Sequence, residues 1–130
     1  MIVLVDYNIN RQALLLAGRL TAGGWLEIAP IRLVTFRDIG LPENSNDRVV
    51  WKFAQANGMP LLTANRNAKG EDSLEEVMRE ESSITSFPII TISNAERLNE
   101  YEYRDRCVEK LVEIALDLPD FMGCGRLFIP

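Results

Sequence analysis

Apolar positions along the chain fall into two patterns: short unbroken runs, and stripes that recur every three or four residues. Ile2 to Val5 is a continuous apolar, β-branched run, the pattern of a strand buried on both faces, and Asp6 follows it at once. From Asn10 to about Thr21, Ala13, Leu14, Ala17 and Leu20 sit at helical spacing, with Asn8 or Asn10 as caps and Gly23-Gly24 as the stop. Ile31 to Phe36 is rich in β-formers and predicts a second strand, followed by a connection through Gly40, Pro42 and the polar run Glu43 to Asn46. A second helix begins at an Asn44 or Ser45 cap, carries Asp47 in its first turn, presents Val50, Phe53 and Ala54 on one face and closes at Gly58.

The alternation continues to the end of the chain. Met59 to Thr63 predicts a third strand, the polar stretch ANRNAKGED a turn, and Ser73 to Glu81 a short helix. Phe87 to Ile92 predicts a fourth strand. Ser93 and Glu96 stand at capping-box spacing before a long helical region, charged and kinked or split in its first half, with Val108, Leu111, Val112, Ala115 and Leu118 as its apolar stripe. Leu127 to Ile129 predicts a last strand. Strands separated by helices imply an α/β fold: a three-layer parallel sheet of about five strands flanked by helices, each helix making the right-handed crossover that parallel neighbours favour. Ligands of such sheets bind beyond the carboxyl ends of the strands, which selects Asp6, Arg37-Asp38, Thr63 to Asn67 and Ser93-Asn94 as the places to look for chemistry.

Composition narrows that chemistry. The 130 residues suit one domain spanning 1–130; 47% are hydrophobic and 25% charged, and no apolar run approaches the ~18 residues a membrane span requires. The opening MIVLVD lacks the basic region of a signal peptide, so the expected compartment is the cytoplasm, with no membrane partner. Cys107 and Cys124 form no CxxC pair and read as reduced, buried thiols. The absence of histidine removes Ser-His-Asp and Cys-His nucleophile systems and every His-ligated metal site, leaving carboxylate chemistry. A net charge of -5 and a pI near 4.8 argue against a surface built for bulk nucleic-acid adhesion. Neither GxGxxG nor GxxxxGK[ST] occurs, so dinucleotide and P-loop sites lack their phosphate cradles.

Each remaining candidate has a functional and a purely structural reading. Asp6 is a carboxylate at the top of a strand or the start of a turn; Asp47 is a ligand in a crevice or an acid favoured by the helix dipole. Thr63, Asn65 and Asn67 make a polar cluster or an ordinary turn, amide oxygens being weak ligands for hard cations. Arg11, Arg37, Arg48, Arg66 and Lys69 form a phosphate-binding rim or a set of solvated loop charges. Trp51 offers a stacking face for a base, or flanks the core.

The order of Asp6-Tyr7-Asn8 after an apolar strand, FRDIGL at Phe36 to Leu41, SNDRVV at Ser45 to Val50 and NGMPLLTAN at Asn57 to Asn65 resembles the PIN-like nuclease superfamily, specifically its short bacterial branch, largely of unassigned function and in part composed of toxin-antitoxin partners. The likeness covers about the first half of the chain. It implies a divalent Mg²⁺ or Mn²⁺ held by Asp6, Asp47 and Asn65, serving hydrolysis of RNA phosphodiesters, with the basic residues above binding substrate. It also implies an antitoxin or other protein partner, and is compatible with a homo-oligomer. Asn65 stands where T-x-D is usual in that family, which removes a charge from the ligand set; Asp38, Glu43 and Asp72 are the nearby acids that could replace it. The alternative to a ribonuclease is a non-catalytic PIN-like domain that binds RNA or a protein.

Overall fold

The apolar runs become five parallel strands in a computed structural model that describes residues 1–64 and 73–130. They are β1 (Ile2–Val5), β2 (Arg32–Val34), β3 (Leu61–Thr63), β4 (Ile89–Ile92) and β5 (Arg126–Ile129), hydrogen-bonded in the order β2-β1-β3-β4-β5. The helices are α1 (Asn10–Ala22), α2 (Phe36–Ile39), α3 (Asp47–Ala56), α4 (Leu74–Glu81), α5 (Tyr101–Leu116) and α6 (Leu118–Phe121). Among the described residues no helix is long and apolar enough to cross a membrane.

The two-residue period of the strands sorts their side chains into two cores. Val3, Val5, Leu62, Ile90 and Ile92 pack with Ala13, Leu16 and Leu20 of α1 and with Val108, Leu111 and Val112 of α5. On the other face Leu4, Leu61 and Ile89 meet Val50, Trp51 and Ala54 of α3 and Leu74 and Val77 of α4. This arrangement corrects one expectation about handedness. From β1 to β2 the chain steps one way across the sheet over α1, and from β4 to β5 it steps the opposite way over α5 on the same face, so these two crossovers have opposite hands. The crossovers through α3 and α4 step with β4 to β5 but lie on the other face, and therefore share the hand of the first. The reason is coverage: α3 and α4 already occupy one face, and α1 alone cannot bury the other face of a five-stranded sheet.

Several boundaries shift because local caps outcompete strand propensity. The second strand stops at Val34, since the Thr35 hydroxyl accepts from the Asp38 N–H while the Asp38 carboxylate accepts from the Thr35 N–H, a capping box that starts α2 where strand and loop were expected. Asn46, rather than Asn44 or Ser45, caps α3 by accepting from the Val49 N–H at 2.9 Å. A 3-10 turn over Tyr7–Ile9 precedes α1, so neither Asn8 nor Asn10 occupies its cap. Another, Ala95–Asn99, splits the long helical region as expected, with Asn94 rather than Ser93 at its cap and no capping side-chain bond there. Cys107 is buried but Cys124 is exposed on the turn before β5, contrary to the expectation that both are buried.

Polar ties hold the second helical layer in place. Gln55 of α3 clasps the backbone of Phe87 just before β4, its amide donating to the carbonyl at 2.9 Å and accepting from the N–H at 2.8 Å. Arg126 of β5, its side chain 9% exposed, donates to Glu75 of α4 at 2.7 Å and to the Thr91 hydroxyl at 2.6 Å. Gln55→Ala leaves both Phe87 backbone groups without that partner and is expected to cost about 1–3 kcal/mol. Urea unfolding measures it; a midpoint equal to the parent's would show that the clasp contributes nothing.

Candidate functional site at the β1/β3 switch point

The chain leaves β1 toward β2 on one side and returns to pair β3 on the other, so the crevice at the carboxyl ends of β1 and β3 is the topological switch point of the sheet. Asp6 sits there. Its N–H donates to the Leu62 carbonyl at 2.9 Å, extending the ladder one residue past β1, and its Oδ2 accepts from the Thr63 hydroxyl at 2.7 Å. Strand alternation explains the meeting: Leu4 pairs with Leu61 on the α3/α4 face, and two residues on Asp6 and Thr63 follow them. Thr91 is register partner to Thr63, and both threonines are fully buried.

Burial pushes the Asp6 carboxyl above the ordinary carboxylate range. The Thr63 hydroxyl draws it back, the Asp47 charge raises it again, and the Asn8 and Tyr7 N–H groups lower it. Asp47 thus lies close enough to Asp6 for the two charges to oppose each other. Its own Oδ2 accepts from the Leu74 N–H at 3.1 Å, at the start of α4, where Ser73 caps the next turn through the Glu76 N–H. Asp47 therefore joins α3 to α4 while its charge acts on Asp6.

The other candidates divide. Asn65, Arg66, Asn67, Lys69 and Asp72 lie outside the described residues. Arg11 and Arg37 are exposed, Arg37 in the lining of a cavity beside Tyr7, whereas Arg48, placed on the rim from sequence, reaches to Glu80 and Glu81 of α4, both at 2.9 Å. Asp38 is committed to the α2 capping box, which holds its carboxyl below the ordinary range. Trp51 is 5% exposed within the α3/α4 core and offers no stacking face. Sequence reasoning put Thr63 in a polar cluster without assigning it a role; its two-residue spacing from Leu61, matching that of Asp6 from Leu4, was the available signal. Asn8, a cap candidate in the sequence, and Gln12, which carries no sequence signal, line a cavity of about 370 Å³ with Asp6 and Ala64.

The donor set is all oxygen, the kind suited to hard divalent cations such as Mg²⁺ or Mn²⁺. Among the described residues no three acidic, cysteine or histidine side chains converge as a metal cluster. No protein-family model matches the chain, and comparisons with curated proteins and with solved structures returned no match.

Two substitutions separate strain from support. Because the Asp6 pKa is raised on folding, its protonated form favours the native state; that contribution is complete below the unfolded carboxyl pKa and disappears as pH rises through the folded one. Asp6→Asn, which keeps an acceptor for Thr63, is expected to raise stability at neutral pH by about 0.5–2 kcal/mol, the range in which relief of functional-site strain falls, with the gain vanishing in acid. Thermal melts from pH 3 to 7 report it, and a loss of stability at neutral pH would contradict the strained-carboxylate account. Asp47→Ala is expected to lose about 1 kcal/mol through the α4 terminus. Chemical denaturation checks this; no loss would remove Asp47 from the support of α4.

Proposed function

We propose that this domain is a metal-dependent ribonuclease of PIN-like type, hydrolysing RNA phosphodiesters with Asp6 and Asp47 as the acidic ligands of Mg²⁺ or Mn²⁺. The observation that carries the reading is the convergence of these two carboxylates at the switch point, with Asp6 ionisable only at a cost that a cation would remove. Asn65 is the proposed neutral third oxygen donor. A bound cation would supply an activated water and charge stabilisation on the scissile phosphate. Thr63 would keep Asp6 in one orientation, Arg11 would draw the RNA backbone to the crevice, and Arg37 would contact the RNA on the β2 side of it. Arg66 and Lys69 join that proposed rim from the sequence alone; Arg48, engaged by α4, is left out of it. The proposed setting is the cytoplasm, with an antitoxin-like protein or a second copy of the chain as the macromolecular partner.

A second reading is favoured by the pairing of two acids where a metal nuclease gathers more: a PIN-like domain that binds RNA or a protein without cleaving. Metal separates the two. Titration with Mn²⁺ by calorimetry and cleavage of a generic single-stranded RNA are expected to succeed in the parent and fail together in Asp6→Asn; cleavage that survives in EDTA, or metal binding unaffected by Asp6→Asn, would overturn the nuclease reading.

Asn65→Asp tests the ligand set. An added carboxylate near Asp6 and Asp47 should lower the apo melting temperature by repulsion and enlarge the rise produced by millimolar Mn²⁺. A tenfold gain in affinity corresponds to about 1.4 kcal/mol of extra stabilisation at saturating metal. Differential scanning fluorimetry reads both effects, and a variant that shows neither would place Asn65 outside the site.

A further inference from the structure

A second cavity opens beside Asp6 on the β2 side of the carboxyl edge. Its volume is about 590 Å³, within the ordinary range of small-molecule sites. The apolar lining is Phe36, 2% exposed, with Leu41, and Tyr7 stands over it with its ring centroid 6.2 Å from that of Phe36, at an interplanar angle of 38°. Tyr7 is 39% exposed, so its ring retains surface for stacking. The polar lining is uneven. Glu43 brings a carboxylate that hydrogen-bonds the Tyr7 hydroxyl and so holds that phenol above its usual range. Asn10 brings an amide whose Oδ1 is buried with no hydrogen-bond partner. Arg37 supplies the cationic donor.

A flat aromatic ligand with adjacent donors along one edge and acceptors along another matches this lining. Among the nucleobases only guanine presents two neighbouring donors, N1–H and N2–H₂, on its Watson–Crick edge, and it places O6 and N7 together as acceptors for a guanidinium. Adenine and cytosine turn a ring-nitrogen lone pair toward the carboxylate, and uracil flanks its single N–H with two carbonyls; each sets like charge against Glu43. We propose that this cavity binds a guanine base, with Glu43 accepting from its Watson–Crick edge, Arg37 donating to O6 and N7, and Tyr7 stacking on its face. The base pocket stands on its own lining; only its role in choosing where RNA is cut rests on the ribonuclease reading. In that role a guanine stacked on Tyr7 would hold the RNA at the edge of the sheet beside Asp6, the residue that precedes Tyr7.

The test is binding of GMP, AMP, CMP and UMP to the full chain in EDTA, followed by NMR chemical-shift titration, with Glu43→Gln as the variant. GMP is expected to bind about tenfold more tightly than the others, and Glu43→Gln to lose about that factor for GMP alone. Equal affinities for all the nucleotides, no GMP binding by the parent, or unchanged GMP affinity in a folded Glu43→Gln would each overturn the proposal. The ranking of nucleotides on the parent protein decides the question even if the variant misfolds. Cleavage is scored separately with Mn²⁺. GMP preference without cleavage would sink the nuclease reading and uphold the base pocket, whereas cleavage without GMP preference would overturn the pocket alone.

Discussion

The hydrogen bond from Thr63 to Asp6 joins the ends of the two central strands at the point where the chain reverses its direction across the sheet. It depends on register. With Leu4 opposite Leu61 and Val5 opposite Leu62, the next positions bring a carboxylate and a hydroxyl together on the α3/α4 face. A slip of one residue would turn Asp6 into the α1/α5 core and Val5 away from it. Burying a carboxylate is unfavourable, and the hydroxyl offsets only part of that cost, so the site holds an ionisable group under strain within an otherwise consistent apolar scaffold.

The rest of the architecture brings a second acid to the first. A five-stranded sheet exposes two apolar faces; α3 and α4 cover one, and α1 and α5 cover the other at the expense of an unusual crossover. The position of α3 is then tied by Gln55 to the approach to β4, and that of α4 by Glu75 through Arg126 to the sheet. Asp47, at the start of α3 and bonded to the start of α4, inherits its place from both helices. The proposed cation chemistry therefore relies on packing well away from the carboxylates.

Much of this was legible in the chain. An unbroken apolar run marked β1 and short stretches rich in β-formers marked the other strands, while the stripe from Val108 to Leu118 marked α5, because burial on both faces or on one face leaves different periods in a sequence. Boundaries were less legible where a local hydrogen bond decided them: Thr35 and Asp38 close a capping box that ends β2 early, and Asn46 wins the α3 cap from its neighbours. The carboxyl-edge rule selects Asp6 and the helix-start pattern singles out Asp47, and in the fold the charge of the second acts on the first. The fate of Arg48 could not be read from the sequence, since its pairing with Glu80 and Glu81 depends on α3 and α4 lying side by side, a long-range fact with no local signature. Glu43 and Tyr7 were similarly obscured, their meeting being set by how the α2 turn folds back toward β1.

The central claim is that Asp6 is a strained, ionisable carboxylate poised for a divalent cation. NMR titration of its side-chain carboxyl carbon, with and without Mg²⁺, addresses that claim directly. The account expects the apo group to titrate above the ordinary carboxylate range and to move down when Mg²⁺ is added, because a bound cation favours the ionised form. A carboxyl that titrates in the ordinary range and is indifferent to Mg²⁺ would contradict it.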